Sequence, residues 1–285
     1  MTPIYRDFDQ AALDRAYSAR DTVPDLAPFI EQYAQRSAAA RDSLDCRTNV
    51  PYGDGPDEVV DIFPAGAGAP VLVFIHGGYW RMLSQKESSF MAPPLAARGI
   101  ATVTVNYSLA PGASIDEIVR QCRAAVAWTW KNAAGFGGDP ARLFVCGSSA
   151  GGHLTGMMAA GGWREDAGLP ADAIKGAVPL SGLFDLEPVR LSNINEWAKL
   201  DAESARRNSP IHHLPQTGCP LIVSWGGSET DEFKRQSREF AAAWAARGWP
   251  VEAFESSARN HFDIVFDIGD PDTRLGRAIF DMIDA

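Results

Sequence analysis

Six short apolar runs, 71–75, 101–105, 143–146, 176–180, 221–225 and 251–254, alternate along the chain with stretches of helical spacing. Strands that repeat in this way, separated by helix-length connections, build a mostly parallel sheet covered by helices on both faces. Ahead of them, 47–64 reads as an antiparallel hairpin, with PYGDGPDE as its turn and EVVDIF as its second strand. Residues 1–45 hold two short helical stretches that read as a covering layer. Further along, Ser114 and Glu117 have capping-box spacing, opening a helix that turns Ile115, Ile118, Cys122 and Val126 inward. A later helix follows Asp231, carries Phe233, Phe240, Ala241 and Trp244 on one face and stops at Gly248. A last one runs over 273–283.

No repeat, charge block or low-complexity linker interrupts 1–285, so one domain is expected. The irregular part is 183–217, rich in Asn, Arg and Pro and longer than a simple crossover needs. It is expected to form a small lid or pocket wall.

Composition narrows the function classes. With 46% hydrophobic and 22% charged residues the chain is an ordinary globular one. Its net charge of −10 opposes phosphate backbones and anionic lipid, so neither nucleic acid nor a membrane surface is an expected partner. The opening MTPIYRDFDQAALDRAY has no basic n-region and no apolar h-region, which points to the cytoplasm. Cys46, Cys122, Cys146 and Cys219 are scattered without metal-ligand spacing and read as reduced, mostly buried thiols. No metal or cofactor is expected. The partner is expected to be a small acyl substrate, with a homodimer left open.

The chemistry gathers at three places. Gly147-Ser148-Ser149-Ala150-Gly151 follows the strand LFVC and precedes a helical stretch, the context a nucleophile elbow requires. Alone the pattern is weak, arising by chance in roughly one chain of this length in ten; its context is what raises it. Ser149 at its centre is the expected nucleophile. Upstream, His76-Gly77-Gly78-Tyr79-Trp80 follows the strand VLVFI, where a loop must aim backbone N–H groups at a developing oxyanion. The expected donors are the N–H of Gly78 or Tyr79, with that of Ala150. His76 is expected to prop the loop by hydrogen bonding, while Tyr79 and Trp80 either line an acyl pocket or pack the loop.

A serine hydroxyl needs a base, and the base a carboxylate to orient it. His261 is the histidine downstream of the late strands, just ahead of the last helix, and is the expected base. His153 reads as a helix-packing residue, and His212 and His213 as surface or lid residues. For the acid, Glu229 and Asp231 compete in the loop GGSETDE: Glu229 is the first choice, and Asp231 is better placed to cap the next helix. Asp263 is too near His261 in sequence to reach its Nδ1 and reads as structural.

HGGYW, YSLAPG, GSSAGGHL, SGLFDLEP, ARRNSP, EFKRQS and NHFDIV, together with VPYGDG, resemble the kynurenine formamidase (arylformamidase) family of α/β-hydrolases over nearly the whole chain. The resemblance implies an α/β-hydrolase fold, a nucleophile at Ser149, a base at His261, an oxyanion loop at 76–80, an acid at Glu229 and no metal. The family's usual acid is Asp, so Glu229 reaches one methylene further. Bacterial members of this type also resemble carboxylesterases. The implied activity is therefore cleavage of an aryl formamide such as N-formylkynurenine, with short-chain ester hydrolysis as the alternative and an inactive ligand-binding protein as a remote one. A formyl-sized acyl pocket would be walled by Tyr79 and Trp80, with Phe184 or Trp197 of the insertion facing the aryl group.

Overall fold

The computed structural model describes residues 2–285. Its eight strands are β1 (Arg47–Pro51), β2 (Val59–Phe63), β3 (Ala69–Ile75), β4 (Ala101–Val105), β5 (Gly138–Ser148), β6 (Gly176–Leu180), β7 (Leu221–Gly226) and β8 (Val251–Ser256). They form one sheet in the order β1-β2-β4-β3-β5-β6-β7-β8. β1 pairs antiparallel with β2 and β2 antiparallel with β4, and every other pairing is parallel. The mostly parallel sheet with an antiparallel N-terminal start is thus the architecture expected from the alternating runs. The reason is visible in β3 and β4, buried at every position: only strands covered on both faces can be continuously apolar.

Among the described residues ten α-helices accompany the sheet: α1 (Gln10–Ala16), α2 (Ala27–Ser43), α3 (Ala92–Ala96), α4 (Ile115–Asn132), α5 (Ala150–Ala159), α6 (Glu187–Leu191), α7 (Asn195–Ala198), α8 (Ala202–Arg207), α9 (Asp231–Ala245) and α10 (Arg274–Asp284). Ile115, Ile118, Cys122 and Val126 of α4 are all buried, and a fully buried aliphatic side chain contributes roughly 1.5–3 kcal/mol. Its cap is half of a capping box. Ser114 accepts from the Glu117 N–H at 3.2 Å, but the Glu117 carboxylate is drawn instead to Arg120 and Gln121. Phe233, Phe240, Ala241 and Trp244 of α9 are buried as expected, and Gly248 beyond it adopts a φ of 83°. The N-terminal layer departs from two short helices, since α2 runs 17 residues.

The insertion 183–217 forms three short helices, α6 to α8, whose Leu183, Leu186, Val189, Ile194, Ala198 and Ala205 join the main core. It is a packed wall over the C-terminal edge of the sheet. No helix of the described residues is long and apolar enough to cross a membrane, and the four cysteines are unpaired, Cys122 and Cys146 fully buried and Cys46 and Cys219 half-buried.

Candidate active site

Chain reversals at the C-terminal ends of five neighbouring strands bring the singled-out residues together, the edge at which parallel sheets bind ligands. Ser149 lies between β5 and α5 with φ 60° and ψ −120°, a conformation that costs of order 1–3 kcal/mol and persists only where its surroundings enforce it. They do so through backbone bonds: the Ser149 N–H donates to the Leu180 carbonyl and its own carbonyl accepts from the His153 N–H, both at 2.9 Å. The tight passage also explains Gly151, where a Cβ would stand 2.0 Å from the Ile75 carbonyl oxygen.

The loop 76–80 runs against this turn. A Cβ on Gly77 would lie 3.3 Å from that of Ser149. Gly78, Tyr79 and Trp80 follow in left-handed conformation, with φ of 94°, 49° and 58°. The N–H groups of Gly78, Tyr79 and Ala150 donate to no protein acceptor among the described residues. His76 props the loop: its Nδ1 meets the Gly77 carbonyl at 2.9 Å, and its ring stacks on Tyr107 at 4.1 Å. Burial depresses its pKa to about 4, so the ring is neutral near neutral pH.

Glu229 and His261 face each other, both almost wholly buried, with Oε2 3.3 Å from Nδ1. The approach is misaligned for a full hydrogen bond, and neither atom has another partner among the described residues. The other carboxylate oxygen, Oε1, is fixed by the Ser181 hydroxyl at 2.5 Å and the Gly226 N–H at 2.6 Å. Phe233 packs edge-on against the His261 ring, centroids 4.7 Å apart. Asp231, the competing acid, is exposed at the first position of α9. It does not cap that helix either; Thr230 holds the cap position, without a side-chain bond. Asp263 bonds back to the Asn260 N–H at 2.6 Å and has a local, structural part.

Ser149 and His261 open on one cavity of about 370 Å³. No hydrogen bond joins the two side chains among the described residues; such contacts often tighten only when substrate binds. Tyr79 and Trp197 line the cavity, and Trp197 donates to the Tyr79 carbonyl at 3.0 Å. Two expected substrate contacts are corrected. Trp80 is fully buried and turns away from the cavity, its Nε1 donating to Nδ1 of His153 at 3.2 Å. Phe184 is likewise fully buried and stacks on Phe240 at 4.2 Å. An aromatic side chain suits a core contact as well as a ligand contact, and sequence alone does not tell them apart.

The sequence reading missed three contributors. Tyr17, Arg20, Leu26, Ile30 and Tyr33 of the N-terminal layer line the cavity, which makes that layer a wall and not merely a cover. Arg81 and Asn193, both exposed, line the cavity as well and so stand where it opens to solvent. Ser181 holds the acid, and its place directly after β6, at the ligand-binding edge, was the available signal.

Known proteins match this chain in sequence and in fold. Residues 61–243 fit the BD-FAE family model. Kynurenine formamidase of Salmo salar is 31% identical over 98% of this chain and 95% of its own, and that of Danio rerio is 32% identical over 93% and 90%. The chain belongs to the kynurenine formamidase-like family of α/β-hydrolases. Among solved structures, a Silicibacter protein superposes with a TM-score of 0.81 at 30% identity, covering 94% of this chain and 98% of its own. An esterase from Pyrobaculum calidifontis, at 20% identity and a TM-score of 0.69 over 96% and 95%, shares the fold. The protein is a serine hydrolase of this family.

Proposed function

We propose that the protein hydrolyses small aryl formamides of the N-formylkynurenine type through an acyl-enzyme at Ser149. His261 takes the hydroxyl proton as Ser149 Oγ bonds to the acyl carbon, and Glu229 steadies the imidazolium that forms. The N–H groups of Ala150 and of Gly78 or Tyr79 hold the tetrahedral oxyanion, typically worth a few kcal/mol. On collapse the carbon–nitrogen bond breaks and His261 returns its proton to the leaving amine. Water, deprotonated by the same ring, then releases formate and restores Ser149.

The observation that carries this reading is the convergence of Ser149 and His261 on one cavity, with the Glu229 carboxylate 3.3 Å behind the imidazole. The formamide assignment rests on near full-length similarity to two kynurenine formamidases. Short-chain ester hydrolysis is the second reading. Its support is the cavity's volume of about 370 Å³, generous for a formyl group alone and ample for a larger acyl chain. Esterase LipQ of Mycobacterium tuberculosis, 28% identical over 76% of this chain and 57% of its own, supports the same alternative. The four unpaired cysteines favour a reducing compartment, which we take to be the cytoplasm.

The test compares kcat/KM on N-formylkynurenine and on p-nitrophenyl esters from acetyl to butyryl, for the wild type and Ser149→Ala. We expect efficient formamide turnover that falls by at least about 10⁴-fold in the variant. Turnover of the esters alone, increasing towards butyryl, would make the protein a carboxylesterase.

A further inference from the structure

The cavity inverts the charge balance of the molecule. The chain carries 36 acidic against 26 basic residues, yet among the described residues no Asp or Glu lines the cavity while two arginines, Arg20 and Arg81, do. Neither forms a salt bridge with any described residue. The Arg81 guanidinium lies 3.6 Å above the Trp197 ring, which holds its plane while leaving its edge donors uncommitted. Arg20 makes a single long contact, 3.5 Å to the Val23 carbonyl. Of the nearby acids, Asp14 accepts from Gln10 and from the Asn193 N–H, while Asp25 and Glu31 share an adjoining outer groove with Arg20 without pairing to it or lining the cavity.

Much of the remaining wall is apolar, with Leu26, Ile30, Tyr33, Phe90, Phe262 and Val265 among its residues. A ligand matching both regions has an apolar body and one anionic end.

We propose that Arg20 and Arg81 form a carboxylate subsite at the cavity mouth, selecting acyl substrates that carry a carboxylate away from the bond being cleaved. This rests on the cavity being the hydrolytic site, as proposed above. A planar guanidinium fits a carboxylate edge-on with two parallel hydrogen bonds. Because both arginines are solvent-exposed, the interaction is screened by salt, and its effect is that of a rim charge.

Calorimetric titration reads the subsite without turnover, using 4-phenylbutyrate and the neutral 4-phenylbutanol, which share one apolar body. The wild type should bind the acid about tenfold more tightly than the alcohol at low salt, and the gap should narrow as salt rises. Arg20→Gln with Arg81→Gln should shrink the preference to about twofold or less, leaving the alcohol's affinity within about threefold. Equal affinities in the wild type, or an undiminished preference in the double variant, would overturn the proposal. The kinetic arm compares N-formylkynurenine with formanilide, which has no carboxylate; the double variant should raise KM for the former alone. If no formamide is cleaved, the formamidase reading falls and the calorimetry still decides the subsite.

Discussion

Glu229 Oε1 already accepts from the Ser181 hydroxyl and the Gly226 N–H, so only Oε2 is left to face His261. This asymmetry makes Glu229→Gln informative. The amide oxygen must take the Oε1 position, because an NH₂ there would face the Gly226 N–H, which can only donate. The NH₂ then faces Nδ1, which can accept only if the imidazole proton moves to Nε2, the nitrogen that must receive the Ser149 proton. A loss in kcat of about 10³–10⁴-fold is expected, with Tm nearly unchanged. Asp231→Asn, at an exposed position, should change kcat less than about twofold. If Asp231→Asn were the damaging substitution, the acid would have been assigned to the wrong residue. Sequence spacing alone left Glu229 and Asp231 both open, since two acids two residues apart in one loop differ in burial and not in pattern. What separates them is the closing of β6 and β7, which brings Ser181 and Gly226 to Glu229.

Three segments meet at His153, one turn into α5. Its Nδ1 accepts from Trp80 of the oxyanion loop at 3.2 Å, and its Nε2 donates to the Asn208 carbonyl after α8 at 2.7 Å. Asn208 in turn donates to Asp116 in the first turn of α4 at 3.0 Å. The helix that carries the nucleophile is thereby tied to the loop with the oxyanion donors. His153 is expected to be a positioning residue, outside the reacting atoms. Trp80→Phe, which keeps an aromatic body and removes the donor, should lower kcat roughly tenfold with little change in KM, since small misplacements near the chemistry are costly. His153→Ala should act at least as strongly. The double variant should fall no lower than the worse single one, because both delete the same contact; additive losses in a double-mutant cycle would refute the tie. Elements of this kind were legible in sequence only in part. The strands and α4, α5, α9 and α10 stand out because apolar period and turn residues are local signals. That Trp80 turns to a histidine 73 residues away, and not into the cavity, is a tertiary outcome that no local period encodes.

At the scale of the whole molecule, His76 and His153 place two neutral imidazoles in the interior, and burial lowers the pKa of each from 6.5 to about 4. Well above pH 6.5 both rings are neutral whether the chain is folded or not, and their contribution is complete. As pH falls below 6.5 the unfolded chain takes up protons that the folded one refuses, so stability is lost until the folded rings titrate near pH 4. Each ring accounts for roughly 3 kcal/mol across that window. This is a sizeable part of the 5–15 kcal/mol typical of a folded domain. Ordinary carboxylates titrate mostly below this range; burial lowers the His212 pKa and adds to the loss, while burial raises those of Asp61 and Asp263 and opposes it, and the two fully buried histidines should set most of the slope between pH 5 and 6.5. Urea unfolding at pH 7, 6, 5.5 and 5 should show the free energy falling with a limiting slope of about 2.7 kcal/mol per pH unit. His153→Gln should be less stable at pH 7 but show about half that slope, because one of the two proton-binding differences is gone. A wild-type free energy that stays flat from pH 7 to 5 would mean that these rings are protonated in the folded protein, and would remove the neutral imidazole on which the Trp80 tie depends.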